Sequence, residues 1–379
     1  MATEARARAR ELGIRIGGLA TGTWNAITDV PGVRVGHTTL IEGGGPLVVG
    51  QGPIRTGVTV IVPRENPYDD PLFAGYHQLN GAGEMTGIAW IEEAGLLTTP
   101  IGITNTHSVG VVRDALIAHD LAEWQRAEPM PWRLPVVSET SDLGLNDMNG
   151  FHVRPEHVHQ ALAAASSGPV AEGCVGGGTG MTCHEFKGGT GTSSRVLPAS
   201  HGGWTVGVLV QANYGWRRHL HIDGVPVGQE IPLEDVPSCR LPQRDDGSIV
   251  VIVATNAPLL PNQCKRLAQR ATIGVARVSG HGDNGSGDLF LAFATGNTGV
   301  DPRGSTAAIP IRMVPNDAMS YLFEAVADAT QEAIVNALCM ATTMTGYNDR
   351  TSYAIPLDRL QAAMAKYHRP GPSGTGELS

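Results

Sequence analysis

The sequence predicts a layered α+β fold. Three observations carry that prediction. Short β-rich apolar runs bounded by Gly, Pro or Asn dominate the first half. Residues Ser248–Thr255 form one continuous apolar run, which suits a strand covered on both faces. Residues Leu322, Val326, Ala329, Ala333, Ala337 and Met340 repeat at helical spacing over the longest amphipathic pattern in the chain. There is no regular βαβα alternation and no internal repeat, so a doubly wound dinucleotide-binding fold is not expected.

Taken in order, Val33–Leu40, Val58–Val62, Ile101–Thr104 and Val136–Val137 read as strands. Val109–Trp124 reads as a helix, with Val112, Leu116 and Trp124 near one face. A second helix starts at Pro155, a residue suited to the first helical turn, and runs through Ala161–Ala165. Gly176–Gly180 and Gly188–Gly191 each contain Gly-Gly-Thr-Gly and read as loops, and Trp204–Ala212 as a strand. Val225–Gly247, with four prolines and little periodicity, reads as a long solvated loop. After the apolar run, Cys264, Leu267, Ala271, Val275 and Val278 lie at helical spacing, and Leu289–Ala294 returns to strand. Pro315-Asn316-Asp317 marks the start of the long helix. Leu357, Leu360, Met364 and Tyr367 mark a last one, before a tail at 369–379 expected to be disordered.

Glycine supplies 49 of the 379 residues, nearly twice the customary share of about 7 %. The formal charge of −9 argues against a general nucleic-acid binder. No run of some 18 apolar residues suggests a membrane span. Met1–Leu12 mixes both charges and lacks the apolar stretch of a signal peptide. The five cysteines include no C-x-x-C pair. Together these point to reduced thiols and a cytoplasmic protein.

The familiar metal and nucleotide signatures are missing, including H-E-x-x-H, the P-loop and G-x-S-x-G. The pairs His157/His159 and His219/His221 lack accompanying carboxylates, so neither metal nor cofactor is expected. Cys183-His184 reads as a buried thiol beside a polar histidine, because a catalytic dyad meets in space rather than along the chain.

Asp245-Asp246-Gly247-Ser248 admits two readings. It is an ordinary turn signal. It also places a hydroxyl on a rigid strand directly after a loop. If the Gly247–Ser248 bond breaks, the new α-amine has a pKa of about 7.7–8 and can serve as the base for its own hydroxyl. Ser286 and Asp288 either belong to a Gly/Asp turn or, if extended, share a face and can relay a proton. Asn213 ends a strand and could donate to an oxyanion. Glu139 is either a surface carboxylate or a grip for an ammonium group.

Five segments together resemble one family: Asn25–His37, Gly83-Glu-Met-Thr-Gly87, Ile103–Gly110, Gln211-Ala-Asn-Tyr-Gly215 and Gly247-Ser-Ile-Val-Val250. It is the L-aminopeptidase/D-Ala-esterase-amidase group, which includes the β-peptidyl aminopeptidases. The resemblance spans about residues 13 to 367. It implies an αββα sandwich of the N-terminal-nucleophile type with different connectivity, and a single self-processing hydrolase domain over 1–368. It implies autocleavage between Gly247 and Ser248 into chains 1–247 and 248–379, with the enzyme made as a zymogen. Ser248 then matches the nucleophile, Asn213 the oxyanion amide, Ser286 and Asp288 the supporting pair, and Glu139 the carboxylate that holds a substrate's amino group. Small peptides, amides or esters with a free amino group are the implied substrates, and a homotetramer of cleaved pairs the implied assembly.

Two residues depart from the family pattern. Ser141 stands where relatives often carry Tyr, so an aromatic hydroxyl that would line the active site is missing, which bears on substrate preference and rate. Asn256 stands where many carry Asp, so a negative charge near the nucleophile strand is lost, which suggests an altered local proton network. The rival readings are an acyltransferase of the ornithine acetyltransferase type, whose nucleophile is Thr, and an uncleaved, inactive homologue acting as a binding protein.

Overall fold

The computed structural model describes residues 5–122, 132–240, 246–302 and 304–367. Its strands are β1 (Arg34–Glu42), β2 (Ile54–Val62), β3 (Leu72–Gly81), β4 (Leu96–Leu97), β5 (Ile101–Asn105) and β6 (Val136–Thr140), followed by β7 (Thr182–Cys183), β8 (Phe186–Lys187), β9 (Gly189–Val196), β10 (Thr205–Asn213), β11 (Asp246–Thr255) and β12 (Gly285–Ala294). The helices are α1 (Ile88–Ala94), α2 (Val109–Ala122), α3 (Pro155–Ala163), α4 (Val227–Glu230), α5 (Pro261–Arg277), α6 (Met319–Met340) and α7 (Leu357–Lys366).

Two large sheets form, one in the order β1-β2-β5-β6 and one in the order β4-β3-β12-β11-β10-β9, while β7 and β8 pair in a small two-stranded sheet of their own. Period-two alternation in the strands decides how they stack. In β11, Val250, Ile252 and Ala254 join Ile61, Ile101 and Ile103 in a core between the sheets. Ile249, Val251 and Val253 join Leu267, Ala271, Leu322 and Val326 in a second core beneath α5 and α6. On the other side Val58, Val60 and Val137 pack with Val112, Leu116 and Val158 of α2 and α3. The layers therefore run helix, sheet, sheet, helix, which is the αββα sandwich. No helix among the described residues is long and apolar enough to cross a membrane.

Two local expectations change, and two elements were not expected. Gly188–Gly191 is not a loop, because β9 begins at Gly189. Its glycines serve close approach: a Cβ on Gly191 would lie 2.0 Å from the Ala333 carbonyl of α6. Strand β3 and helix α1 had no clear apolar signature, since Leu72–Gly81 mixes Gly, His, Gln and Asn with few β-branched residues. The 225–247 stretch includes α4 and already enters β11 at Asp246; residues 241–245 lie outside the described part. Trp124 and the tail at 369–379 also lie outside it.

Helix α6 is buried almost throughout and carries Asp328, Glu332 and Asn336 inward. Glu332 pairs with Arg195 at 2.7 Å and Arg10 at 2.8 Å, and Asn25 donates to it at 2.5 Å. Burial pushes its carboxyl upward, but Arg195 and Arg10 outweigh that and hold it below the usual range. A depressed carboxylate contributes stability above its unfolded value and loses it as pH falls through the folded one. Glu332→Gln leaves the fully buried Arg195 guanidinium without its counter-ion. It is expected to cost about 3 kcal/mol, and the variant should lose less stability than wild type on acidification. Denaturant titrations at neutral and acidic pH check both.

Candidate active site

Ser248 is the third residue of β11, opposite Asn213 of antiparallel β10 and opposite Gly287 of parallel β12. Its hydroxyl donates to the carbonyl of its own preceding residue, Gly247, at 2.5 Å and accepts from the Gly287 N–H at 3.2 Å. It is buried at the floor of a cavity of about 510 Å³. Asn213 shares the inter-sheet face with Ser248, because both continue the alternation of Leu209 and Val250. Its Oδ1 accepts from the Thr182 N–H at 2.8 Å, and its Nδ2 donates to the Ser141 carbonyl at 2.9 Å. These bonds fix the amide and leave its second hydrogen for a reacting group.

Glu139 comes from the other sheet, near the end of β6, and lines the same cavity. One carboxylate oxygen accepts from the Glu84 N–H at 2.9 Å and the other from the Thr106 hydroxyl. It is 3 % exposed, so the alternative of a surface carboxylate is ruled out. Burial pushes its pKa up, against the opposing pull of those two hydrogen bonds. Among the described residues no ion pair neutralises it. A buried carboxylate in that state at the edge of a cavity has the chemistry to take up a cation.

Ser286 and Asp288 do share a face: the Ser286 hydroxyl donates to the Asp288 carboxylate at 2.7 Å. Gly287 stands opposite Ser248, so this pair points to the other side of the sheet, the side of Phe290 and Ala292. It lines a second, small cavity, and Gly247 borders both. Burial raises the Asp288 carboxyl, and the hydroxyl of Ser286 opposes that rise.

Ser141 does reach the site, as a carbonyl partner of Asn213 and a small side chain in the cavity wall. Asn256 does not. It follows the far end of β11 from Ser248, about 25 Å along the strand, and its side chain accepts from the Thr205 N–H at 2.7 Å. The expected change in the proton network near the nucleophile is therefore overturned for Asn256. At Cys183-His184, burial pushes the thiol up to about 12 and the imidazole down to about 4. That pair cannot form an ionised dyad at neutral pH.

Sequence reasoning singled out no role for Thr106, His107, Tyr214 or Arg240, all of which line the cavity. Three of them lie inside the segments Ile103–Gly110 and Gln211–Gly215, and that is the signal that pointed toward them. Size alone would favour another cavity, about 910 Å³ and bordered by Arg34, Tyr68, Asp120 and Arg133. Its lining includes no serine, threonine or cysteine among the described residues.

The fold and this arrangement have counterparts. The chain is 50 % identical over 374 residues to the β-peptidyl aminopeptidase of Sphingosinicella microcystinivorans, covering 96 % of this chain and 93 % of that one. It superposes on a β-aminopeptidase of a Burkholderia species with a TM-score of 0.88 at 55 % identity, covering 95 % of this chain and 99 % of the other. It superposes on the L-aminopeptidase D-Ala-esterase/amidase of Ochrobactrum anthropi with a TM-score of 0.87 at 43 % identity, covering 96 % and 99 %. That structure is described as a prototype of the serine aminopeptidases and a new variant of the Ntn hydrolase fold. Residues 25–352 match the model of peptidase family S58. With that match over most of its length, the chain belongs to peptidase family S58.

Proposed function

We propose that the chain is an aminopeptidase with amidase and esterase activity, and that it matures by cutting its own Gly247–Ser248 bond. The observation that carries this reading is Ser248 itself. Its hydroxyl lies against the Gly247 carbonyl, at the floor of a cavity that also holds an unneutralised buried carboxylate. The activities of the relatives named above support it.

In the precursor the Ser248 Oγ attacks the Gly247 carbonyl carbon. The Gly247–Ser248 C–N bond breaks as the ester forms, and the Oγ proton ends on the new α-amine. Water then hydrolyses the ester, leaving Gly247 with a carboxylate. In the mature enzyme that amine takes the Oγ proton as Ser248 attacks a substrate carbonyl. The second amide hydrogen of Asn213 and the Gly287 N–H are the donors at hand for the oxyanion, each such donor being worth about 3 kcal/mol. Glu139 holds the substrate's ammonium, which restricts attack to the bond after the first residue.

The two chains stay together because they interleave. Chain 248–379 supplies β11 and β12, which sit between β10 and β3 of chain 1–247. A tetramer of such pairs in the cytoplasm completes the reading.

Intact mass of the purified protein should give two species that sum to the full chain plus one water. Ser248→Ala should give one chain and no turnover of an aminoacyl amide. An alanine variant that still splits refutes the scheme. Glu139→Gln should raise KM about 10- to 100-fold with a smaller effect on kcat, the range expected for a charged hydrogen bond. In wild type, protonating Glu139 removes the charge that holds the ammonium, so KM should climb as pH falls through a point above the ordinary carboxylate range. Steady-state kinetics across pH should show that climb in wild type and not in the variant.

A further inference from the structure

Behind Ser248 lies the second cavity, of about 10 Å³, roughly the space one water needs. Gly247, Ser286 and Asp288 border one side; His219, His281 and Asp283 border the other. Tyr214 lines this cavity and the substrate cavity alike. Its side chain is buried, and its hydroxyl has no hydrogen-bond partner among the described residues. An orphaned buried hydroxyl is destabilising, and a water held in a polar niche removes that cost.

The walls grade from interior to solvent. Asp288 is buried, His219 is half-buried and His281 is exposed. The two imidazole rings lie 4.6 Å apart, centroid to centroid. His221 fixes their setting, bonding through Nδ1 to the His219 carbonyl at 2.7 Å and the Ser279 hydroxyl at 3.0 Å. The loop before β12 closes directly over Asp288, since a Cβ on Gly282 would lie 3.6 Å from its carboxylate.

We propose that this cavity holds one water that carries protons between Asp288 and solvent, passed on by the His219–His281 pair and positioned by Tyr214. The inference rests on the reading of Ser248 as the nucleophile. A proton on Asp288 moves to the water as the water gives one to an imidazole. Asp288 returns to its carboxylate, and His281 releases the proton to solvent. Other charged or titratable groups face the cluster: Arg217 and Arg218 from the segment before His219, His184 from beneath, His221, and Asp283. All of them remain in the variants below.

The test uses the mature, cleaved protein. Tyr214→Phe should lower kcat about fivefold at unchanged KM, as expected for one lost hydrogen bond. The double variant His219→Gln/His281→Gln removes both imidazoles that pass the proton on, so kcat should fall about tenfold at unchanged KM, less than the loss of a group that exchanges a proton with the substrate itself. If Tyr214→Phe does not fold, the double variant, whose side chains are half-buried and exposed, carries the test alone. Wild-type kcat in both variants overturns the relay. In that case an inactive Asp288→Asn leaves the Ser248 reading intact, whereas a fully active Asp288→Asn and Ser248→Ala overturn that reading as well.

Discussion

Strand β11 is held along both edges, antiparallel to β10 and parallel to β12, and the two ladders set Ser248 opposite Asn213 and Gly287 at once. A slip of one residue would turn its hydroxyl from the inter-sheet face toward the helices. It would also drive Ile249, Val251 and Val253 out of the core they share with α5 and α6. The apolar pattern of the strand therefore enforces the position of Ser248. Asn213 is governed by the same ladder, and its amide is then locked by Thr182 and Ser141 from separate segments. Close packing adds to this constraint: a Cβ on Gly287 would lie 2.6 Å from the Gly83 Cα, so only a bare backbone passes between Ser248 and the 83–87 segment.

Two buried carboxylates show how surroundings separate support from chemistry. Glu332 lies among Arg195, Arg10 and Asn25 and is held ionised, with its charge consumed inside the fold. Glu139 receives one N–H and one hydroxyl, and burial still wins. Both are almost fully buried, so burial alone does not distinguish them. The distinction lies in whether the counter-charge comes from the protein or is left for something else to bring.

Much of this was legible in the residue order, and the reasons are physical. Residues 248–255 announce a doubly covered strand because every side chain from Ile249 to Ala254 is apolar, and α6 announces itself by its period. β3 did not, because its packing against α5 demands smallness rather than hydrophobicity: at Gly75 a Cβ would lie 2.2 Å from the Lys265 nitrogen. Gly189 and Gly191 misled for the same reason, since glycine signals a turn in sequence but here marks where other backbone presses on a strand, Gly173 at Gly189 and α6 at Gly191. At the site, Ser248, Asn213 and Glu139 could be named but not joined, because the sheets that unite them are separated in sequence. The opposite facing of Ser286 and Asp288 was unreadable, since it follows from the register of β12 against β11 rather than from their spacing. Asn256 misled in the converse way, being near Ser248 in sequence and a full strand length from it in space.

The interleaving of the sheet bears on why a cut at this point would be tolerable. From Ser248 onward β11 keeps both ladders and both cores whether or not Gly247 is attached. Breaking the bond there removes chain connectivity without removing any buried apolar contact. Gly247, like Tyr214 and Gly215, also borders both cavities. Its release would open a path between the hydroxyl on one face of the sheet and the Ser286–Asp288 pair on the other. A new α-amine at that point would stand where the two meet. The same cleavage that supplies a base for Ser248 would thereby connect that base to an acidic group and, through it, to solvent.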